Sequence, residues 1–73
     1  MSHDHSKLIR MATQMAQFFS SQPDRPAPEA VAAHINDSWS PRMRQDFVEL
    51  IRAGAEADPV VREAAEFVRL PTG

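Results

Sequence analysis

Apolar residues recur at helical spacing along most of the chain. In the first such segment, which starts near Ser6, positions 8, 11, 12, 15, 18 and 19 fall on one side of a helix. The polar side chains of Arg10, Gln14 and Gln17 lie opposite. This apolar arc covers nearly half of the circumference, which is wider than a single covered stripe requires. The first helix is therefore either the centre of a bundle or presents a second apolar face to something else.

A proline-rich connector separates the first helix from the second. Three of the chain's six prolines lie within residues 23–28, and proline at this density cannot continue a helix. The second helix is expected to begin around Pro28 and to run to about Ser38, with Glu29 beside the positive end of the helix dipole. Its predicted inner face consists of Val31, Ala32 and Ile35, and Trp39 follows its end.

Two further start signals predict two more helices. Ser40 can cap free amide groups and is followed by a proline, so a third helix is expected from residue 41 to about 55, with Gly54 on its inner face and Val48 at the flank. Asp58 and Pro59 repeat the signal for a fourth helix, which Pro71 ends. The fourth helix carries Val60, Ala64, Phe67 and Val68 inward and places Arg62 and Glu66 at the spacing of an exposed ion pair.

These elements predict an all-α fold, a small bundle of three to four short helices. With 73 residues there is room for one domain, and no alternating β-branched run indicates a strand. We expect residues 1–5 to be a flexible N-terminus, residues 6–70 a single helical domain and residues 71–73 a C-terminal tail. The predicted core consists of Leu8, Met11, Met15, Phe18, Ile35, Met43, Phe47, Leu50, Ile51, Ala64 and Phe67.

Charge and cysteine content narrow the class of protein. A net charge of −2 and an isoelectric point of about 5.8 give no overall attraction to nucleic acid or to an anionic membrane. No apolar run is long enough to span a bilayer, and the first residues lack the order of a signal peptide. Together with the absence of cysteine, these features favour a cytoplasmic protein.

Residues that could carry chemistry are few. His3, Asp4 and His5 could bind a transition metal, but a frayed terminus is the more common explanation of such a sequence. His34 has no convincing second ligand nearby and fits a structural or interface histidine. The chain has no cysteine nucleophile, and two glycines are too few for a phosphate-binding loop. We therefore expect no catalytic, cofactor-binding or metal site.

The segment from Trp39 to Arg44 contains two arginines in the first turns of a helix, where the helix dipole disfavours cations. Trp, Met and Arg are enriched at the centres of protein interfaces, so the segment fits a docking patch for carboxylates of a partner. The alternative is that Trp39 and Met43 belong to the core and that the arginines are solvated. The sequence favours neither interpretation over the other.

Three segments in order carry a resemblance to a known family. They are Leu8-Ile9-Arg10-Met11-Ala12 with Ala16-Gln17-Phe18-Phe19, then Val31-Ala32-Ala33-His34-Ile35 with Trp39-Ser40-Pro41-Arg42-Met43-Arg44, then Asp58-Pro59-Val60-Val61-Arg62-Glu63-Ala64. Over residues 7–68 the chain resembles the delta subunit of soluble NAD-dependent, molybdenum-containing formate dehydrogenase. It departs from the family pattern at Ser38, where an aromatic residue is frequent, and at Ser40, where an acidic one is frequent.

The resemblance implies an accessory subunit without cofactors of its own. Its implied partners are the catalytic and electron-transfer subunits of formate dehydrogenase, which carry the molybdenum centre, the iron–sulfur clusters and the flavin. The residues expected to meet a partner are Arg10, Phe19, His34, Trp39, Arg42, Met43 and Arg44. Two alternatives stay open: a homo-oligomeric helical module, with weak self-association when isolated, and a DNA-binding module that uses the arginines of the third helix.

Overall fold

The computed structural model describes residues 5–22 and 24–70. Within these residues the chain forms four α-helices and no strand, as the apolar spacing predicts. The helices are α1 (His5–Ser20), α2 (Ala27–Ser38), α3 (Pro41–Arg52) and α4 (Pro59–Ala64), and a 3-10 turn, Ala65–Phe67, follows α4. The prediction of a small all-α bundle is confirmed.

Helix α2 lies against both α1 and α4, and α1 also contacts α3 and α4. The side chains of Val31, Ile35, Phe47 and Val61 are completely buried where these helices meet. Small residues line much of the remaining contact, among them Ala12, Ala16, Ala30, Ala32 and Ala64. Because alanine adds little bulk, the helices approach closely and a few large side chains suffice to fill the centre.

The two predicted start signals work as capping sites. The Met43 N–H donates to the Ser40 hydroxyl at 3.2 Å, and the Val60 N–H donates to the Asp58 carboxylate at 2.8 Å. Each bond satisfies one of the amide groups that a helix leaves free in its first turn. A proline follows each capping residue, at the position where its missing N–H costs nothing.

We expect Ser40→Ala to lower the free energy of unfolding by about 1 kcal/mol, because it removes the side-chain acceptor at the start of α3. Urea denaturation followed by circular dichroism measures the change. Ser38→Ala is the matched control, since Ser38 is an exposed serine at the C-terminal end of α2 and does not cap a helix N-terminus. Equal stabilities for the two variants would contradict a capping role for Ser40.

Helix α3 ends earlier than predicted, at Arg52 rather than near residue 55. Gly54 adopts φ of +95°, a left-handed conformation that L side chains rarely adopt. The Gly54 N–H donates to the Ile51 carbonyl and the Ala55 N–H to the Leu50 carbonyl, both at 3.1 Å. This pattern is a Schellman C-cap. Gly54 therefore terminates the helix and does not belong to its inner face, contrary to the prediction.

Two predictions for the fourth helix were wrong, and one holds in part. The α-helix stops at Ala64, and the tighter 3-10 turn rotates Phe67 outward, so that 46% of Phe67 is exposed. Val60 packs partly buried against the core, and the fully buried side chain of the first turn is that of its neighbour Val61. The Arg62 side chain donates to the Ala57 carbonyl at 3.3 Å, and no ion pair joins it to Glu66.

The remaining core predictions are confirmed for some residues and wrong for others. Ile35, Phe47 and Ala64 are buried as expected, and Val48 is buried too, although it was placed at the flank. Leu50 is only partly buried. Phe18 is 60% exposed, so its assignment to the core was wrong. The side chains that pack partly buried against the core include Leu8, Met11, Met15, Met43 and Ile51.

The exposure of Phe18 follows from the position of α1 in the bundle. The face of α1 that other helices cover is centred on Ala12 and Ala16, which are almost completely buried. At about 100° per residue, Phe18 falls roughly 160° away from Ala16 and 120° from Ala12, outside that face. The wide apolar arc of α1 is therefore covered only in part: α1 contacts the other three helices, and Phe18 leaves a further apolar surface exposed.

Candidate partner-binding surface

Trp39 and Met43, two residues of the expected docking patch, serve the fold of the free chain. Trp39 is 6% exposed, and its ring packs edge-to-face against Phe47, with the ring centroids 5.7 Å apart. Met43 lies partly buried against the same core. The core interpretation of these two side chains is therefore the one that the structure supports. Trp39 offers little surface to a partner unless the end of α2 rearranges.

The guanidinium of Arg44 binds its own backbone and is not simply solvated. Its Nε donates to the Arg69 carbonyl at 2.9 Å, and one terminal nitrogen donates to the carbonyls of Asn36 and Trp39, both at 3.3 Å. The Asn36 and Trp39 carbonyls lie at the C-terminal end of α2, where unpaired carbonyls favour a cation. The position of Arg44 in the first turn of α3 is unfavourable for a cation, but its bonds to the carbonyls at the C-terminal end of α2 offset this cost.

Asn36 completes this cluster, and the sequence analysis did not single it out. Its side-chain amide donates to the Phe67 carbonyl at 3.2 Å, and its Oδ1 accepts the Arg69 N–H at 2.7 Å. One side chain thereby pairs with the backbone on both sides of Val68, which is buried. Asn36 and Arg44 together hold residues 67–69 against α2 and α3. A local sequence pattern could not predict this contact, because the paired positions are more than thirty residues apart.

Arg42 remains on the surface. Its side chain is 85% exposed and lies 3.7 Å from the Asp46 carboxylate, one turn further along α3. An exposed pair of this kind contributes little stability. Of the two arginines that the docking and DNA-binding hypotheses use, only Arg42 therefore presents most of its side chain to solvent, where another molecule can reach it.

Arg10 lies on a different part of the surface. It borders a depression between α1 and the end of α3, together with Ile9, Thr13, Leu50, Ala55 and Glu56. Arg10 lies at the edge of α1 that faces away from α2, apart from Phe19 and His34. The seven expected contact residues consequently do not form one continuous patch.

Phe19 and His34 do come together, on opposite walls of an open groove between α1 and α2. The groove has a volume of about 550 Å³. Its other lining residues all come from α1: Met11, Gln14, Met15 and Phe18. The rings of Phe18 and Phe19 meet edge-to-face, with centroids 5.1 Å apart. This groove is where the second apolar face of α1 lies, and the width of the apolar arc was its sequence signal.

A second groove, between α2 and residues 67–69, is lined by charges of both signs. Arg25, Glu29, Asp37 and Arg69 border it. Among residues 5–22 and 24–70 no three His, Asp or Glu side chains are grouped so that they could hold a metal ion. The expected alternative of a metal site at His3, Asp4 and His5 falls largely outside the described residues. In the described part of the chain, no helix has both the length and the apolar character to cross a membrane.

Comparison with known protein families shows the family to which the chain is related. The model of the family described as NADH-dependant formate dehydrogenase delta subunit FdsD matches residues 7–65. The chain belongs to this delta-subunit family. The comparison with individual curated proteins gives no match. The family match covers all of α2, α3 and α4 and nearly all of α1, so both walls of the apolar groove lie within it. The resemblance inferred from the three sequence segments is confirmed.

Proposed function

We propose that this delta subunit is a non-catalytic accessory protein that supports the assembly or stability of the molybdenum-containing catalytic subunit of a soluble, cytoplasmic NAD-dependent formate dehydrogenase. The electron-transfer subunits are its further partners within the complex. It binds no cofactor, nucleic acid or membrane itself, and it acts through surface contacts with larger subunits. Among the expected contact residues, Arg10, His34 and Arg42 are exposed, and Phe19 is partly buried at the groove.

The observation that carries this proposal is the family match combined with the exposed aromatic ring of Phe18. A protein this small has few large apolar side chains to spare. In this chain Phe18 is 60% exposed, beside Phe19 and two methionines. An exposed apolar group of this kind contributes little to the stability of the free chain and is typical of a surface that another protein covers. A subunit that is stable enough to fold but incomplete without its complex has this property.

The residue composition supports an accessory role. The chain has no cysteine that could ligate an iron–sulfur cluster and two glycines, of which Gly54 caps a helix. Its most elaborate polar cluster, around Arg44 and Asn36, binds backbone carbonyls and amides of the chain itself. These side chains hold the fold together, and formate chemistry belongs to the larger subunits in this proposal.

A pull-down of the tagged full-length chain from its native host, at mild salt, tests the proposal. We expect the large molybdenum subunit in the eluate, together with formate-dependent NAD reduction. Deletion of the gene should lower the molybdenum content or the yield of that subunit. Normal yield, metal content and activity after deletion would contradict an assembly or stability role.

Arg42→Glu tests the contribution of the exposed arginine in the same pull-down, with Arg25→Glu as a matched control on the connector. Both side chains belong to exposed residues, so circular dichroism should report unchanged helicity. Weaker recovery of the catalytic subunit with Arg42→Glu alone would support Arg42 as a contact. Equal recovery with both variants would remove Arg42 from the interface.

A further inference from the structure

The surface beside the groove is a continuous stripe along α1. Lys7, Met11, Gln14 and Phe18 follow one another at intervals of four, three and four residues, which places them on one flank of the helix over three turns. At a rise of about 1.5 Å per residue, the stripe is about 16 Å long. His34 of α2 forms the far wall of the groove next to it. The length corresponds to three turns of a second helix packed alongside.

The stripe carries a positive charge, although the chain as a whole is acidic. Helix α1 contains no Asp or Glu; Lys7 is exposed on the stripe, and the other cation of α1, Arg10, lies outside the groove. The chain as a whole has a formal charge of −2, so the carboxylates are concentrated elsewhere. A partner surface that carries carboxylates beside its apolar residues complements this face.

The backbone around the groove restricts the conformation of its occupant. Both walls are α-helices, whose N–H and C=O groups bond within the helix, and the described residues present no strand edge to which a peptide could add. A segment that enters this apolar groove must satisfy its own backbone polar groups. An α-helix does so within itself, whereas an extended peptide in this groove would rely on solvent for its backbone hydrogen bonds.

We propose that the groove between α1 and α2 binds an amphipathic α-helix of the catalytic subunit, with apolar side chains at helical spacing over Met11, Met15 and Phe18 and a carboxylate opposite Lys7. This inference rests on the proposed function and adds the docking surface and the chemistry of the partner segment. Methionine side chains adapt their shape to a neighbour, and the exposed ring of Phe18 is the anchor. A second copy that docks through the α1 stripe brings another Lys7 and no carboxylate of α1 to meet the first.

Binding of the purified full chain to the purified catalytic subunit tests the groove. We expect Phe18→Gln to weaken binding about tenfold or more, since it removes the exposed aromatic anchor. Phe67→Gln is the matched control: it makes the same change at another exposed phenylalanine, outside the groove. Circular dichroism should show equal helicity for both variants. Wild-type affinity in both would overturn the docking surface while leaving the proposed function intact.

The carboxylate is tested by reversing the charge that faces it. Lys7→Glu should weaken binding by about threefold to tenfold at low salt, and the difference from wild type should shrink as the salt concentration rises. Lys7→Gln should have a smaller effect. Equal affinity of Lys7→Glu and wild type at low salt would overturn the acidic character of the partner.

A photo-reactive amino acid at Gln14 identifies the partner segment directly. The cross-linked peptide should contain apolar residues three and four positions apart and at least one Asp or Glu within a turn of them. Cross-linking to a second copy of this chain, with a dimer in sedimentation that Phe18→Gln abolishes, would overturn the inference in favour of self-association. Failure of the wild-type chain to bind the catalytic subunit at all would instead contradict the proposed function itself.

Discussion

Phe47→Ala is expected to lower the free energy of unfolding by about 4 kcal/mol. The Phe47 ring is completely buried, and it supports the ring of Trp39 edge-to-face at the centre of the bundle. Removal of the ring costs its transfer from water and leaves a cavity that the alanine-lined helix contacts cannot fill. A domain of this size has a stability on the order of 5 kcal/mol, so the variant should keep only about 1 kcal/mol and unfold at a much lower temperature than the wild type.

Thermal and urea denaturation, followed by circular dichroism, measure this effect. Phe47→Leu keeps most of the volume and should cost about 1 kcal/mol, which makes the effect measurable even if the alanine variant does not fold. Phe67→Ala is the matched control, because 46% of that phenylalanine is already exposed. Its cost should stay near 1 kcal/mol. Similar losses for Phe47→Ala and Phe67→Ala would contradict the assignment of Phe47 to the centre of the core.

Arg44→Met is the second substitution with a large expected effect, about 2 kcal/mol of unfolding free energy. Methionine keeps the aliphatic stem but removes the three donated bonds to the carbonyls of Asn36, Trp39 and Arg69. The partial exposure of Arg44 limits the loss, because water can reach part of the cluster. The end of α2 and residues 67–69 should show the largest loss of local stability, since Arg44 hydrogen-bonds to both segments.

Arg42→Met is the matched control for Arg44→Met. Arg42 lies two residues earlier on the same helix and makes only an exposed ion pair with Asp46, so its loss should cost less than about 0.5 kcal/mol. Hydrogen exchange should show faster amide exchange at Arg69 in Arg44→Met and unchanged exchange in Arg42→Met. Equal stability of the two variants would show that the carbonyl contacts of Arg44 contribute nothing.

The difference between the two arginines also affects how partner binding is tested. The docking hypothesis treated Arg42 and Arg44 as one charged patch, but only Arg42 can be changed without disturbing the fold. Reversal of both charges would combine loss of structure with loss of contact. Copurification is therefore informative for substitutions at Arg42, Phe18 and Lys7, because these three residues are exposed.

Local sequence signals predicted the helices and their starts. Ser40 and Asp58 each cap a helix within two or three residues of themselves, and prolines end or begin helices through their own ring geometry. The inner face of α2 was also predictable, because Val31, Ala32 and Ile35 follow the helical period. These properties depend on neighbours a turn or less away, so the sequence contains them directly. Gly54 carried an equally local stop signal that was read as part of the helix.

Long-range contacts determined which apolar residues became core and which became surface. Phe18 and Phe19 are adjacent in a helix with a wide apolar arc, and only the positions of α2 and α3 leave Phe18 exposed. The same holds for Arg44, whose partners Asn36 and Arg69 meet it only after the chain has folded back on itself.

The amino-acid sequence was sufficient for the all-α class, the number and starts of the helices and membership of the delta-subunit family, since periodicity, caps and motif order are local. The tertiary structure was needed to distinguish Arg44, which binds the backbone of the chain, from the exposed Arg42. It was also needed to locate the groove between α1 and α2. A helical period specifies which side chains share a face of one helix. It does not specify how much of that face a neighbouring helix covers, because coverage depends on the packing of the whole bundle.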